Sequence, residues 1–311
     1  MIRVFSSDDR GVPEREIVLR FKTWAGGEEH VEVDVLATSN NFGAAFLDWR
    51  ASSRLLIYAK LYDSSDVMRL LVTLETLRNE EVFSAEPVID LVLPYIPYGR
   101  QDRVTGTTGQ LLNTFVGALN RFDISRIYTL DPHSYETIGR LSDIAIDGVF
   151  DYKPLLLRDS ELITRVCAGK PDYVLLPDAG AKARGYPHGY TIDQMIVGSK
   201  KRDPITGHPT LSLSNDDLKK IIGSNVLIID DICDGGRTFI EMAKMLRSAE
   251  TYRGLGLENF PTFPKLYLCV THGIFSNGLD ELLSYFEAIG SYHTWPGNPS
   301  HPRLQRGTQL L

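Results

Sequence analysis

Only three of the 311 residues are cysteine, Cys167, Cys233 and Cys269, too few and too scattered for a disulfide framework or a zinc site. A reducing compartment accords with that. Positive charge is also in deficit. Lys and Arg number 33 against 40 Asp and Glu, a formal net charge of −7, the wrong sign for affinity that rests on a nucleic-acid backbone. No nucleic-acid partner is expected, and any polyanion must be met locally. No apolar run approaches the roughly 18 residues of a spanning helix, and Met1 to Arg10 lacks the basic-then-apolar design of a signal peptide. The expectation is therefore a cytoplasmic protein with no membrane partner. What is present is ordinary: 43% hydrophobic and 23% charged residues, a balance that excludes a disordered or fibrous chain.

The length points to two domains of about 150 residues each. Short β-rich apolar runs alternate with longer helical patterns, which predicts an α/β protein with largely parallel sheets. Strands are expected at Ile17 to Phe21, Val31 to Val35, Leu55 to Ala59, Ile89 to Leu93, Ile127 to Leu130, Tyr173 to Leu176, Val226 to Ile229 and Leu266 to Val270. Helices are expected where apolar residues recur at the helical period, in Asp66 to Leu77 and Phe239 to Leu246. No short repeat is visible, yet both halves place polar clusters after apolar runs, as two related domains would. The expected division is 1–150, 151–297 and a loose or docking tail at 298–311.

The segment Val226 to Thr238 carries the strongest chemistry: an apolar strand, Asp230-Asp231, then Asp234-Gly235-Gly236-Arg237-Thr238 and a helical pattern. Glycines let backbone amides approach an anion, and a helix N-terminus adds N–H groups and a favourable dipole, so the loop suits a phosphate. Asp230 and Asp231 would repel bare phosphate. They make sense if they accept hydrogen bonds from sugar hydroxyls or face magnesium, which implies a ribose phosphate. Three other strand ends repeat the pattern: Tyr98 to Arg103, Asp131-Pro132-His133-Ser134, and Pro177-Asp178-Ala179-Gly180. Arg100 and Arg103 offer guanidinium groups to phosphates. Ligands of open α/β sheets bind outside the carboxyl ends of strands, so such clusters can converge. Between Ile196 and Leu211 lies a basic, Gly- and Pro-punctuated loop with Lys200, Lys201 and Arg202, read either as a lid over a transferring phosphoryl group or as a solvated loop.

With those residues in view, the chain resembles the ribose-phosphate pyrophosphokinase family over nearly its whole length. Trp24 to Glu28 is similar to the family's aromatic-x-x-Gly-Glu, Tyr98 to Arg103 to its Tyr-Ala-Arg-Gln-Asp-Arg, and Asp131 to Ser134 to its Asp-Leu-His-Ala. Pro177 to Gly180 matches Pro-Asp-Ala-Gly, and Lys200 to Arg202 lies where the family has Lys-x-Arg. Asp230 to Thr238 resembles its Asp-Asp-x-x-Asp-Thr-x-Gly-Thr loop, and Thr271 to Ser276 its Thr-His-Gly-x-Phe-Ser.

The resemblance implies two phosphoribosyltransferase-like α/β domains, each with a mainly parallel sheet flanked by helices, the first with an ATP site and the second with a ribose-phosphate site. It implies transfer of the β,γ-diphosphoryl group of ATP to the anomeric hydroxyl of ribose 5-phosphate, releasing AMP, with Mg²⁺ as the metal. Arg100, Gln101 and Asp102 would hold ATP, with Trp24 and Glu28 of a neighbouring subunit on adenine. His133 and Asp178 would serve the metal, His133, Lys200 and Arg202 catalysis, Asp230 and Asp231 the ribose hydroxyls, and Asp234, Gly235, Gly236, Arg237 and Thr238 the 5-phosphate. A homo-oligomer, a dimer-built hexamer, would be the assembly. The sequence departs from the family at Gly235, where it has Thr, at Arg237, where it has Gly, and at Pro132, where it has Leu. Arg237 beside the loop raises a second acceptor, ADP-ribose, whose diphosphate would run past the loop, giving ADP-ribose 1-pyrophosphate for NAD resynthesis; ribose 5-phosphate stays ahead. A different class, a non-catalytic regulatory homologue, would have no need of a basic lid together with His133 and Asp178.

Overall fold

The chain folds as two units, Met1–Tyr152 and Lys153–Leu311. This computed structural model describes residues 1–7, 13–34, 37–38, 53–79, 83, 85–102, 104, 109–151, 160–183, 189–202, 209–257, 262–298 and 300–307.

In the first unit the strands are β1 (Ile2–Ser7), β2 (Pro13–Ile17), β3 (Leu19–Thr23), β4 (Glu29–Val33), β5 (Arg54–Ala59), β6 (Val88–Leu93), β7 (Ile124–Thr129) and β8 (Gly148–Asp151). Six form one sheet in the order β2-β1-β5-β6-β7-β8, while β3 and β4 form a separate antiparallel hairpin. From β5 to β8 neighbours are parallel, and β1 is antiparallel to both β2 and β5. The single strand expected at Ile17 to Phe21 is therefore two. The chain leaves the main sheet at Val18, whose N–H donates to the Thr38 hydroxyl at 3.0 Å.

The described helices of this unit include α1 (Ser64–Leu77), α2 (Leu111–Leu119) and α3 (Tyr135–Ser142). Asp63 caps α1 by accepting from the Asp66 N–H at 2.9 Å, satisfying an amide that has no partner inside the helix. Leu70, Leu74 and Leu77 recur at the helical period and are fully buried, packed in one core with Leu55, Ile57, Leu91 and Phe115.

The second unit contains α4 (Ser160–Cys167), β9 (Tyr173–Leu176), α5 (Ala179–Ala183), β10 (Met195–Val197), β11 (Ser199–Arg202), β12 (Pro209–Ser212), α6 (Asn215–Lys220), β13 (Asn225–Cys233), α7 (Arg237–Leu246), α8 (Ala249–Arg253), β14 (Lys265–Gly273), α9 (Asp280–Tyr285), β15 (Ala288–Thr294) and β16 (Leu304–Arg306). Its main sheet runs β10-β9-β13-β14-β15-β16, with every pairing parallel. Successive strand residues point to opposite faces. Accordingly Val226 and Ile228 join Leu266, Leu268 and α7's Met242 in one core, while Leu227 and Ile229 join Cys269 and α4's Leu162 and Val166 in another. Burial on both faces is why these strands read as continuous apolar runs.

One expectation is corrected here. The basic stretch from Ile196 to Leu211 is not simply a loop: its flanks pair as an antiparallel ribbon of β11 and β12, with Lys200 opposite Leu211 and Arg202 opposite Pro209. The Gly- and Pro-containing stretch between them, 203–208, lies outside the described residues. Of the two forms expected for the tail, the docking one is seen at β16, which extends the sheet by pairing with β15 and buries Leu304 against Ile289. Among the described residues no helix is long and apolar enough to cross a membrane.

Candidate active site

Because the main strands of the second unit all run one way, the turns after β9, β10, β13 and β14 share its carboxyl edge, the usual ligand-binding edge of such sheets. β13 extends past the expected end at Ile229 to Cys233, so the acidic pair belongs to the strand. Asp231 is buried and Asp230 half-buried, and the Asp231 N–H donates to Asp230 Oδ1 at 3.0 Å. Gly236, at φ +77°, then turns the chain into α7, and its carbonyl accepts from the Phe239 and Ile240 N–H groups at 3.0 Å. A left-handed residue is required there, and glycine adopts it without strain. The loop amides and the positive end of a ten-residue helix thus meet at one point, a ready-made anion site.

The turn after β14 braces this loop. The Ser276 hydroxyl donates to Asp234 Oδ1 at 2.7 Å, and Asn277 Nδ2 donates to the Gly235 carbonyl at 3.2 Å. Phe275, at φ +50°, is one of few non-glycine residues in the left-handed region. On the other side of β13, Asp178 Oδ1 accepts from the Ala181 N–H at 2.9 Å and so caps α5. Gly198 lies beside the same turn: a Cβ there would meet the Pro177 carbonyl oxygen at 2.7 Å, so the basic ribbon is rooted against the Asp178 turn. Burial, reinforced by Asp234 and Asp230, pushes the Cys233 thiol far up, which keeps it protonated and unsuited to act as a nucleophile.

In the first unit the turns after the parallel strands β6 and β7 are knitted together. The Ser134 hydroxyl donates to Asp102 Oδ2 at 2.6 Å and also caps α3 by accepting from the Thr137 N–H. Thr137 Oγ1 donates to the Gly99 carbonyl at 3.4 Å, and the Leu130 N–H donates to the Pro94 carbonyl at 3.2 Å. Tyr98 (φ +60°) and Asp131 (φ +46°) are held in left-handed backbone within these turns, a strain that tends to persist where function requires it. Arg100, Gln101 and His133 are exposed on this edge, while Asp102 is buried. At the tip of the β3–β4 hairpin, Trp24 is 62% exposed with its ring 4.9 Å from that of His30, and Glu28 is exposed beside it.

Residues 192–251 match the family model described as phosphoribosyl transferase domain. The chain is 29% identical over 220 residues to the ribose-phosphate pyrophosphokinase of Mycoplasma genitalium, covering 70% of this chain and 59% of that protein. It is 28% identical over 233 residues to that of Granulibacter bethesdensis, covering 74% and 67%. In fold it is similar to the phosphoribosylpyrophosphate synthetase of Mycobacterium smegmatis, with a TM-score of 0.61 and 18% identity across 94% of this chain and 86% of that one. The chain is thus similar to the ribose-phosphate pyrophosphokinases in sequence and, by the solved structure, in fold. The match spans under two thirds of the Mycoplasma proteins' length, 59% in one and 58% in the other.

The fold is two phosphoribosyltransferase-like α/β domains. Asp230, Asp231 and Asp234 to Thr238 stand along one strand end and its loop, whereas the residues expected for ATP are divided between the turn after β6, with Arg100, Gln101 and Asp102, and the β3–β4 hairpin tip, with Trp24 and Glu28. Lys200 and Arg202 are placed by backbone register alone, and Arg103 lies outside the described residues. Asp102 and Asp178 both carry structural hydrogen bonds, so each holds its turn whatever else it does. Sequence reasoning gave no role to Ser134, Ser276 or Asn277. Ser134, three residues before Thr137, carried a readable N-cap signal, whereas the bracing pair touches its loop only across the sheet edge.

Proposed function

We propose that this chain is an ATP-dependent diphosphotransferase acting on ribose 5-phosphate. The anomeric hydroxyl oxygen attacks the β-phosphorus of ATP, the bond from that phosphorus to the bridging oxygen breaks, and AMP leaves with that oxygen while the hydroxyl proton passes to solvent. The carrying observation is the loop from Asp234 to Thr238, whose left-handed Gly236 opens α7 next to two strand carboxylates. Phosphate at the loop and sugar hydroxyls at Asp230 and Asp231 account for glycines and acids standing together. Phosphoryl transfer asks for positioning and charge neutralisation more than for a covalent nucleophile, and a protonated Cys233 accords with that. Arg100, Gln101 and Asp102 serve ATP, and Lys200 and Arg202 stabilise charge developing on the diphosphoryl group.

Among the described residues no three His, Cys, Asp or Glu side chains are grouped to hold a metal by themselves. Mg²⁺ arriving with ATP needs only one or two protein carboxylates beside phosphate oxygens and water, and the hard oxygen donors of the Asp178 and Asp230–Asp231 turns suit it. Bound there, it would neutralise charge on the phosphates.

One observation favours ADP-ribose as an alternative acceptor. Arg237 is the first residue of α7, and no acidic residue stands in that helix's first turn. A guanidinium there stands beside the anion loop, where it suits a second phosphate of a larger acceptor. Incubation with ATP, Mg²⁺ and either acceptor, read by AMP release and phosphorus NMR of the product, separates the readings. AMP released with ribose 5-phosphate supports the proposal. Turnover with ADP-ribose alone transfers the assignment to that acceptor, and AMP with neither refutes the transferase reading and leaves a regulatory homologue.

The exposed Trp24 offers a stacking face for adenine in the neighbouring subunit of a homo-oligomer. Trp24→Ala is expected to raise the KM for ATP about tenfold with kcat nearly unchanged, since stacking on an aromatic side chain contributes about 1–3 kcal/mol. Steady-state kinetics with ATP varied at saturating acceptor checks this, and an unchanged KM removes Trp24 from the ATP site.

A further inference from the structure

We propose that Asn277 is a positioning residue for the acceptor phosphate: its carboxamide, reaching in from the turn after β14, orients the Gly235–Gly236 peptide of the anion loop. The proposal rests on the sugar-phosphate reading of that loop. Asn277 Nδ2 donates to the Gly235 carbonyl at 3.2 Å. In a trans peptide the C=O and the following N–H point in opposite directions. Anchoring the carbonyl toward Asn277 therefore directs the Gly236 N–H away from the brace, at the residue that opens α7.

The same contact bears on residue 235. A Cβ at that position would lie 2.9 Å from Asn277 Nδ2 and 3.6 Å from its Cγ, so the carboxamide occupies the space a side chain would need. A side chain at 235 would therefore displace this exposed amide, and the bond to the loop would go with it.

The bond is not needed to hold the turn itself. That turn is secured by backbone bonds, from the Ile274 and Phe275 N–H groups to the Cys233 carbonyl, from the Ser276 N–H to the Asp234 carbonyl at 3.2 Å, and from the Gly278 N–H to the Phe275 carbonyl at 2.8 Å. Asn277 is exposed. Its side-chain bond acts on the partner loop, and its loss should register in ligand affinity rather than in folding.

Titration calorimetry with ribose 5-phosphate and steady-state kinetics test this on the full chain. Asn277→Ala is expected to weaken ribose 5-phosphate binding and raise its KM about tenfold, with the KM for ATP and kcat close to wild type. Asn277→Asp, which puts a carboxylate where a donor stood, should weaken binding further. Gly235→Ala should expel the carboxamide and weaken binding at least as much as Asn277→Ala. The double variant Gly235→Ala/Asn277→Ala should bind no worse than Gly235→Ala, because two changes to one contact do not add. Wild-type affinity in Asn277→Ala, or strictly additive losses, overturns the proposal. Absence of ribose 5-phosphate binding by the wild-type chain overturns the sugar-phosphate reading itself, and this inference with it.

Discussion

His133→Ala is expected to lower AMP formation about 10²- to 10³-fold while shifting the melting temperature little. The side chain is exposed at the turn between β7 and α3, and the turn has its own supports. The Leu130 N–H donates to the Pro94 carbonyl, and Ser134 caps α3 while donating to Asp102. None of these bonds uses the imidazole. Surface substitutions away from such features usually change stability by no more than about 0.5 kcal/mol. Loss of a preorganised group aimed at developing phosphoryl charge, by contrast, costs about 10²- to 10³-fold in turnover. Parallel thermal melts and ATP turnover decide between roles. A variant that turns over normally removes His133 from the chemistry, and one that loses stability in step with activity makes it a structural residue.

How far the chain could be read before its fold was known depended on how local each signal was. The strands from Val226 and Leu266 are buried on both faces, so their apolar runs were unambiguous. Val67, Leu70, Leu71 and Leu74 recur at helical spacing and announced α1, and Leu70 and Leu74 of that face are fully buried. The strands β15 and β16 passed unnoticed, the latter because a three-residue strand carries one buried apolar residue, Leu304, and depends on β15 for its hydrogen bonds. The ribbon of β11 and β12 was obscured for a similar reason: the turn signals in the sequence between them outweighed four pairing residues on each side.

Site residues followed the same division. Asp230 to Thr238 was legible because strand, acids, glycines and helix follow one another in sequence. What was not legible was support arriving from elsewhere. Ser134 reaches Asp102 across 32 residues, and Ser276 and Asn277 reach Asp234 and Gly235 across 42. Composition and periodicity contain no record of contacts at that separation. Asp102 and Asp178, both read from their motifs as ligand-facing, turn out to fix backbone geometry as well, one beneath a turn and one at a helix start. Motif spacing locates such a carboxylate without distinguishing those tasks.

The largest stability effect is expected at Asp90→Ala. Asp90 is 0% exposed on β6, and its Oδ1 accepts from Arg54 Nη1 at 2.7 Å, with Arg126 Nη1 3.7 Å from Oδ2. Arg54, on β5, is itself nearly buried, so removing the carboxylate strands a guanidinium charge in the sheet. Breaking one side of a buried pair costs about 3–5 kcal/mol, whereas replacing both sides by apolar groups is often nearly neutral. The paired substitution Arg54→Met/Asp90→Leu should therefore recover most of the stability lost in Asp90→Ala, and denaturant unfolding of the three variants measures it. Burial raises the Asp90 carboxyl above its ordinary 3.8, with Arg54 and then Arg126 only partly opposing the rise. Between the ordinary and the raised value the folded chain binds more protons than the unfolded one, so this residue's contribution to stability falls as pH rises through that window. Asp90→Asn should lack that slope while leaving the other carboxylates' titrations in place. An identical pH dependence in Asp90→Asn and wild type would show that the Arg54 bridge fully compensates the buried charge, and the double replacement would then be expected to destabilise.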